Sequence, residues 1–162
     1  MEQKEKIIMV YFLTLGGIIL WIGLIIIVPY LKSKSISLNT FGYAMFSPIC
    51  HQIPSRSFFL FRHPLAVCSR CFGIYVGSLL GVLSYPLVHK FSIASLPKPR
   101  TLILVSLPIV VDTIGNFLHL WLTPNLPRFF IGILWGVILP FYFITGITDF
   151  VLSIRHKRES LI

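Results

Sequence analysis

Read from the N-terminus, the chain alternates long apolar runs with short polar breaks. After the charged start MEQKEK, apolar residues dominate from Ile7 to Pro29 or Tyr30. Further apolar runs cover about residues 71–89, 101–122 and 128–152. Stretches of about 20 such residues match the ~30 Å hydrocarbon layer when wound as α-helices. The pattern predicts an all-α membrane protein with four transmembrane helices, forming a single integral membrane domain over residues 1–162. The first run is longer than the apolar core of a signal peptide and ends at IVPYLKSK without a small-residue cleavage pattern. It reads as a retained helix.

Residues 31–70, between the first two helices, break the alternation in a different way. Phe41, Tyr43, Phe46, Phe58, Phe59 and Phe61 make this segment aromatic and interface-seeking. Pro48, Pro54 and Pro64 divide it into pieces too short to span. Irregular backbone near a bilayer has to lie at the interface, inside protein or against water. A structured cap or shallow re-entrant segment between helices 1 and 2 meets that condition. Lys90–Arg100 and Thr123–Pro127 read as short connections, and RHKRES as a basic tail.

Composition agrees with the pattern. The chain is 56% hydrophobic and 12% charged, too few polar residues to cover a soluble globule. The net charge of +9 is scattered through loops and ends, with no patch or motif that would suit nucleic acid. Its natural partners are the lipid bilayer and anionic headgroups. With both termini inside, the inner side carries Lys4, Lys6, Lys90, Lys98, Arg100, Arg155, Lys157 and Arg158. The outer side then carries Lys32, Lys34, Arg56, Arg62, Arg70 and Arg128. This bias favours a multi-pass protein of the cell membrane with cytoplasmic termini and the cap outside.

The chemistry is concentrated in residues 50–71. Cys50, followed by His51, and the pair Cys68-x-x-Cys71 are the three cysteines of the chain. A C-x-x-C pair at a helix start places two sulfurs on one helical turn, where backbone N–H groups and a nearby Arg70 favour thiolates. That serves metal chelation and disulfide exchange alike. A closed zinc site takes four N or S ligands, and C-H-x16-C-x-x-C offers three thiols and an imidazole. Cys50, His51, Cys68 and Cys71 are therefore the candidate ligands of a zinc ion. Neighbouring side chains rarely share one metal, so His63, His119 or Asp112 are alternatives for the fourth position.

Asp112 is the only acid well inside an apolar run. With Asn116 and His119 it forms a stripe at i, i+4 and i+7 on the third helix. An intramembrane carboxylate has to face the bundle interior or water and find a partner. Arg56, Arg70 and Arg128 are the candidates, and together with Asp112 and His119 they form the expected catalytic set. Gly73, Gly77 and Gly81 recur every fourth residue, and Gly132 and Gly136 repeat the spacing on the fourth helix. These stripes read as close helix packing, without chemistry.

Cys50-His51-Gln52, Arg56 and Cys68-x-Arg70-Cys71-x-Gly73-x-Tyr75-x-Gly77 resemble the signature of a family of small prokaryotic multi-pass membrane proteins catalogued as a domain of unknown function. The resemblance continues through Asp112, Asn116, Arg128, Gly132 and Gly136, and covers most of the chain after the first helix. It implies a shared membrane fold and a shared site, with no activity to transfer. Phe72 stands where that family more often has Thr. The chain is also similar to quinone-linked disulfide oxidoreductases of the bacterial envelope, small four-helix proteins with a C-x-x-C near a helix start. Those shuttle electrons through a second cysteine pair, where this chain has only Cys50.

Three functions follow as expectations. The first is a metal protein with zinc at the membrane interface, acting on an anionic lipid or another membrane substrate. The second is a thiol–disulfide oxidoreductase coupling Cys68/Cys71 to a quinone. The third is a small transporter using the Asp112 stripe.

Overall fold

A computed structural model of the protein describes residues 2–89 and 98–159; most of the expected connection Lys90–Arg100 lies outside the described residues. The first helix, α1, covers Glu2–Ser33, and a short helix α2 covers Leu38–Phe46. A 3₁₀ turn at Pro54–Arg56 leads into a two-stranded hairpin of β1 (Phe59–Leu60) and β2 (His63–Pro64). Three further helices follow: α3 (Ser69–His89), α4 (Pro99–Phe117) and α5 (Asn125–Glu159). Four of the five helices, α1, α3, α4 and α5, are long and apolar enough to cross a membrane. The segment between α1 and α3 is the predicted structured cap.

The centre of the fold is a parallel pair, α3 and α5. Gly73 faces the backbone of Phe129, Gly77 that of Ile133 and Gly81 that of Val137. Gly132 and Gly136 in turn lie against the backbone of Arg70 and Ile74. Both number series rise together, so the two helices run in the same direction, with α4 as the return stroke. A Cβ built on any of these five glycines would lie 2.2–2.4 Å from a carbonyl oxygen of the partner. The glycines let two backbones touch, which in lipid replaces hydrophobic driving force with dispersion contact.

Helix α1 packs along this pair in two places. Near its start Ile7, Val10 and Tyr11 are buried with Val82, Tyr85 and Ile144. Near its end Ile25 and Val28 are buried with Phe46, Cys50, Leu65, Ala66 and Val67. The N-terminal end of α1 thus meets the C-terminal parts of α3 and α5, while its C-terminal end meets the cap. The two chain ends lie on the side opposite the cap. Outward positions such as Leu13, Leu20, Leu83, Leu104, Val111 and Phe143 are exposed apolar side chains that suit lipid contact.

The cap is tied together by backbone carbonyls and aromatic edges. Gln52 Nε2 donates to Tyr43 O (2.7 Å) and to Ala66 O (2.8 Å). Tyr43 Oη donates to Pro64 O at 2.5 Å. Trp21 of α1 meets Phe46 edge-on, with ring centroids 5.1 Å apart. Phe58 meets both Phe72 and Phe129, fixing the cap over the starts of α3 and α5. Leu38, Phe41, Phe59 and Phe61 remain exposed, the interface-seeking side of the segment.

The helix bounds differ from the sequence expectation at several ends: α1 takes in the charged start from Glu2, and α5 begins at Asn125, inside the expected connection. Helix α4 stops at Phe117 and not near Leu122, because His119 adopts a left-handed conformation (φ 56°). Leu120 N then donates to Gly115 O at 2.9 Å, the reversal that commonly closes a helix. The segment read as a basic tail continues α5 through to Glu159.

Candidate functional site

The site lies where the cap meets the starts of α3 and α5. Cys71 falls in the first turn of α3, Cys68 immediately precedes that helix, and Cys50 enters from the cap. Their sulfur atoms all lie within 4.8 Å of one another. Cys50 is buried and the other two are half-buried; all three are free thiols. Gln52 holds the turn after His51 at a positive φ of 51°, so the chain doubles back and brings Cys50 under Cys68. The N–H of Cys68 donates to Cys50 Sγ at 3.1 Å.

Hydrogen bonds from the Cys68 and Cys71 side chains hold the Cys50 thiol well below the usual thiol range. Cys68 moves the other way, since its proton is shared with Cys50. A thiolate is the form that ligates metal and attacks a disulfide.

The sulfurs open into a cleft of about 250 Å³. His51 and Arg56 of the cap, Arg70 of α3 and Arg128 of α5 line it with them. His51, the expected fourth ligand, is exposed at the cleft and lies outside the tight cluster of three sulfurs. His63 sits in β2, and neither it nor Asp112 belongs to that cluster.

Beneath the cleft is a buried polar network. Asp112 is 5% exposed and forms an ion pair with Arg70. Arg70 Nη1 also donates to Thr113 Oγ1 at 2.9 Å. Asn116 Nδ2 donates to Asp112 Oδ1 (3.0 Å) and to Thr123 Oγ1 (2.9 Å). Thr123 Oγ1 donates to Asp112 Oδ1. Arg128, also 5% exposed, donates from Nη2 to Asn116 Oδ1 at 2.6 Å. One carboxylate and one carboxamide thus orient two arginines of the cleft.

Of the three arginines proposed as partners for Asp112, the structure selects Arg70. The early end of α4 explains how it reaches: Asp112 is five residues from Phe117, or about 7.5 Å of helix from the cap side. The expected stripe stops at its second member. His119 lies beyond the helix, exposed, where it shapes the reversal and takes no part in the network. Thr123 takes the place expected of it. No sequence signal marked Thr123, since its role depends on where the chain turns back. Gln52 and Asn125 also carry more than was expected of them. Asn125 Nδ2 donates to Ser57 O (3.2 Å), and Ser69 Oγ donates to Asn125 Oδ1 (3.3 Å), which locks the two helix starts to the cap.

Residues 50–142 match the model of the family described as "Predicted membrane protein (DUF2085)". The chain belongs to that family. The DUF2085 match begins at Cys50 and extends into α5, so it contains every residue lining the cleft except Ile49. An uncharacterised protein of Methanocaldococcus jannaschii is 43% identical over 100 residues, 62% of this chain. The match spans 64% of that relative's own length, just under two thirds. An uncharacterised protein of Methanothermobacter thermautotrophicus is 30% identical over 93 residues, covering 57% of this chain and 81% of the relative. No solved structure matches. The DUF2085 match and the archaeal relatives agree with the expected prokaryotic membrane family.

Proposed function

We propose that this protein is a metal-binding membrane protein in which Cys50, Cys68 and Cys71 hold a zinc ion at the border of the bilayer. The observation that carries the reading is the convergence of three sulfurs, from two separate parts of the chain, within 4.8 Å. Soft thiolates gathered this closely suit zinc. Three protein ligands would leave a fourth position to be filled, and the sulfurs line the cleft. His51 from the cleft edge is the proposed fourth ligand in a closed site, and water or a substrate atom the occupant of an open one. An open site would serve hydrolysis or group transfer on an anionic lipid, the zinc acting as a Lewis acid. Arg56, Arg70 and Arg128 are the groups facing such a substrate, and Asp112 with Asn116 orients two of them. The Lys/Arg bias supports cytoplasmic chain ends and a cleft on the outer face.

Elemental analysis of detergent-purified protein tests this. About one zinc per chain is expected, lost in Cys68→Ser and in Cys50→Ser. Protein that folds normally, retains three titratable thiols and carries no stoichiometric metal under zinc-replete expression would rule the reading out.

One observation supports a second reading, the oxidoreductase. Tyr75, one helical turn after Cys71, packs against the buried cluster that includes Cys50 and lines an apolar groove of about 530 Å³ between α1, α3 and α5. Thr14, Ile18, Ser78, Pro140 and Phe143 complete most of its wall. A quinone seated there would take two electrons and two protons from Cys68 and Cys71, leaving a disulfide and a quinol. Thiol counting separates the readings: reversible loss of two thiols without metal favours this one.

A further inference from the structure

We propose that the cleft binds a tetrahedral oxyanion of the phosphate class, clamped by Arg56 and Arg128 beside the three sulfurs. This rests on reading the cleft as a substrate site, and it does not require the metal to be bound.

The charge balance of the cleft singles out these two arginines. Arg70 is neutralised by Asp112 and also bonded to Thr113. Its charge is thus already balanced, and it ties the start of α3 to α4. Arg128 is held by Asn116, a neutral partner, and its Nε is buried with no hydrogen bond. Arg56 ends the 3₁₀ turn, half-buried, and its side chain has no hydrogen bond or ion pair among the described residues. Two guanidiniums without a carboxylate therefore share one cleft. Three thiolates around a divalent ion carry a single net negative charge, so the cleft stays positive with or without the ion.

The backbone adds to that charge. Helices α3 and α5 run parallel and begin side by side, as the bond between Ser69 and Asn125 shows. Their dipoles add at the cleft and do not cancel, as they would in an antiparallel pair. A planar carboxylate is satisfied by one bidentate guanidinium. Two guanidiniums from different elements, with parallel helix starts beside them, suit the larger charge and divergent oxygens of a phosphate group. The cleft of about 250 Å³ has the volume of roughly eight waters, enough for such a group and its ester substituent. A lipid headgroup and free inorganic phosphate share this chemistry.

Titration calorimetry and thermal melting of the detergent-purified full chain, with inorganic phosphate and with short-chain phosphatidic acid as separate probes, test the inference. Saturable binding that raises the melting temperature is expected. Arg56→Gln and Arg128→Gln should each weaken it at least about tenfold, since an Arg–phosphate contact is a charge-assisted, bidentate one. Arg62→Gln, on the hairpin turn outside the cleft, should leave it unchanged. Phosphatidic acid binding more than about tenfold tighter than phosphate identifies a headgroup site, and equal affinities identify free phosphate. Absence of binding by either probe, or an equal loss in Arg62→Gln, overturns the inference. So does unchanged affinity in Arg56→Gln, a half-buried position whose loss should not impair folding. Zinc measured on the same samples keeps the two readings apart: Cys68→Ser should lose metal and still bind phosphate, and Arg56→Gln should retain metal.

Discussion

Asp112→Leu is expected to destabilise the protein by about 3–5 kcal/mol, the usual cost of removing one partner from a buried ion pair. The substitution leaves Arg70 charged with no carboxylate, and strips Asn116 and Thr123 of a shared acceptor. Asn116, buried in the network, has no water to replace that acceptor. Asp112→Asn keeps an acceptor oxygen and should fall between the two. The pair Asp112→Leu with Arg70→Met removes both charges and should recover part of the loss, because an apolar pair of similar volume often replaces a buried ion pair at little cost. Melting curves in one detergent would show the series. Equal melting temperatures for wild type and Asp112→Leu would mean that Arg70 does not depend on Asp112.

Gly77→Leu should prevent assembly altogether, and Gly77→Ala should cost about 1–3 kcal/mol, as overpacking does. A Cβ at this position would meet Ile133 O at 2.4 Å, roughly 1 Å short of comfortable contact. The obstacle is backbone, which cannot swing aside as a side chain can, so the helices would have to part along their length. Gly16 and Gly146 provide the control, since nothing lies within 4 Å of a Cβ there. Alanine at either should be neutral or stabilising by up to ~1 kcal/mol, the ordinary helix preference for Ala over Gly. Yield and monodispersity on size-exclusion chromatography, followed by thermal melting, distinguish the cases. A well-folded Gly77→Leu protein would show that α3 and α5 do not touch as described.

The four spanning helices were legible because hydropathy and length are what a bilayer reads. The cysteine pair was legible for a similar reason: C-x-x-C spacing at a helix start leaves little choice of geometry. What escaped the sequence was set by backbone reversals. Leu118, Leu120, Trp121 and Leu122 prolong the apolar run, so hydropathy carried the third helix past the point where His119 turns it. With the helix ended, His119 lost its place on the stripe and Thr123 gained one. The hairpin was hidden too. Its turn residues Phe61 and Arg62 both have positive φ, 51° and 66°, where a two-residue turn ordinarily has Asn or Gly. The glycine stripes announced close packing, but not that α3 and α5 were each other's partners or that they ran parallel. That depends on which helices become neighbours in space, which local pattern does not encode.

The pairing of α3 with α5 has a consequence for synthesis. The chain emerges in order, so α3 reaches the membrane before its partner exists, and α4 must cross back first. Until Asn125 and the residues after it arrive, the glycine face of α3 has only lipid against it, and Arg128 is missing from beside the sulfurs. The cap can form its own bonds early, but the cleft is completed only when the final helix slides in along α3. The cleft is therefore complete only once α5 has been made, since Arg128 and the glycine partners of α3 come with it.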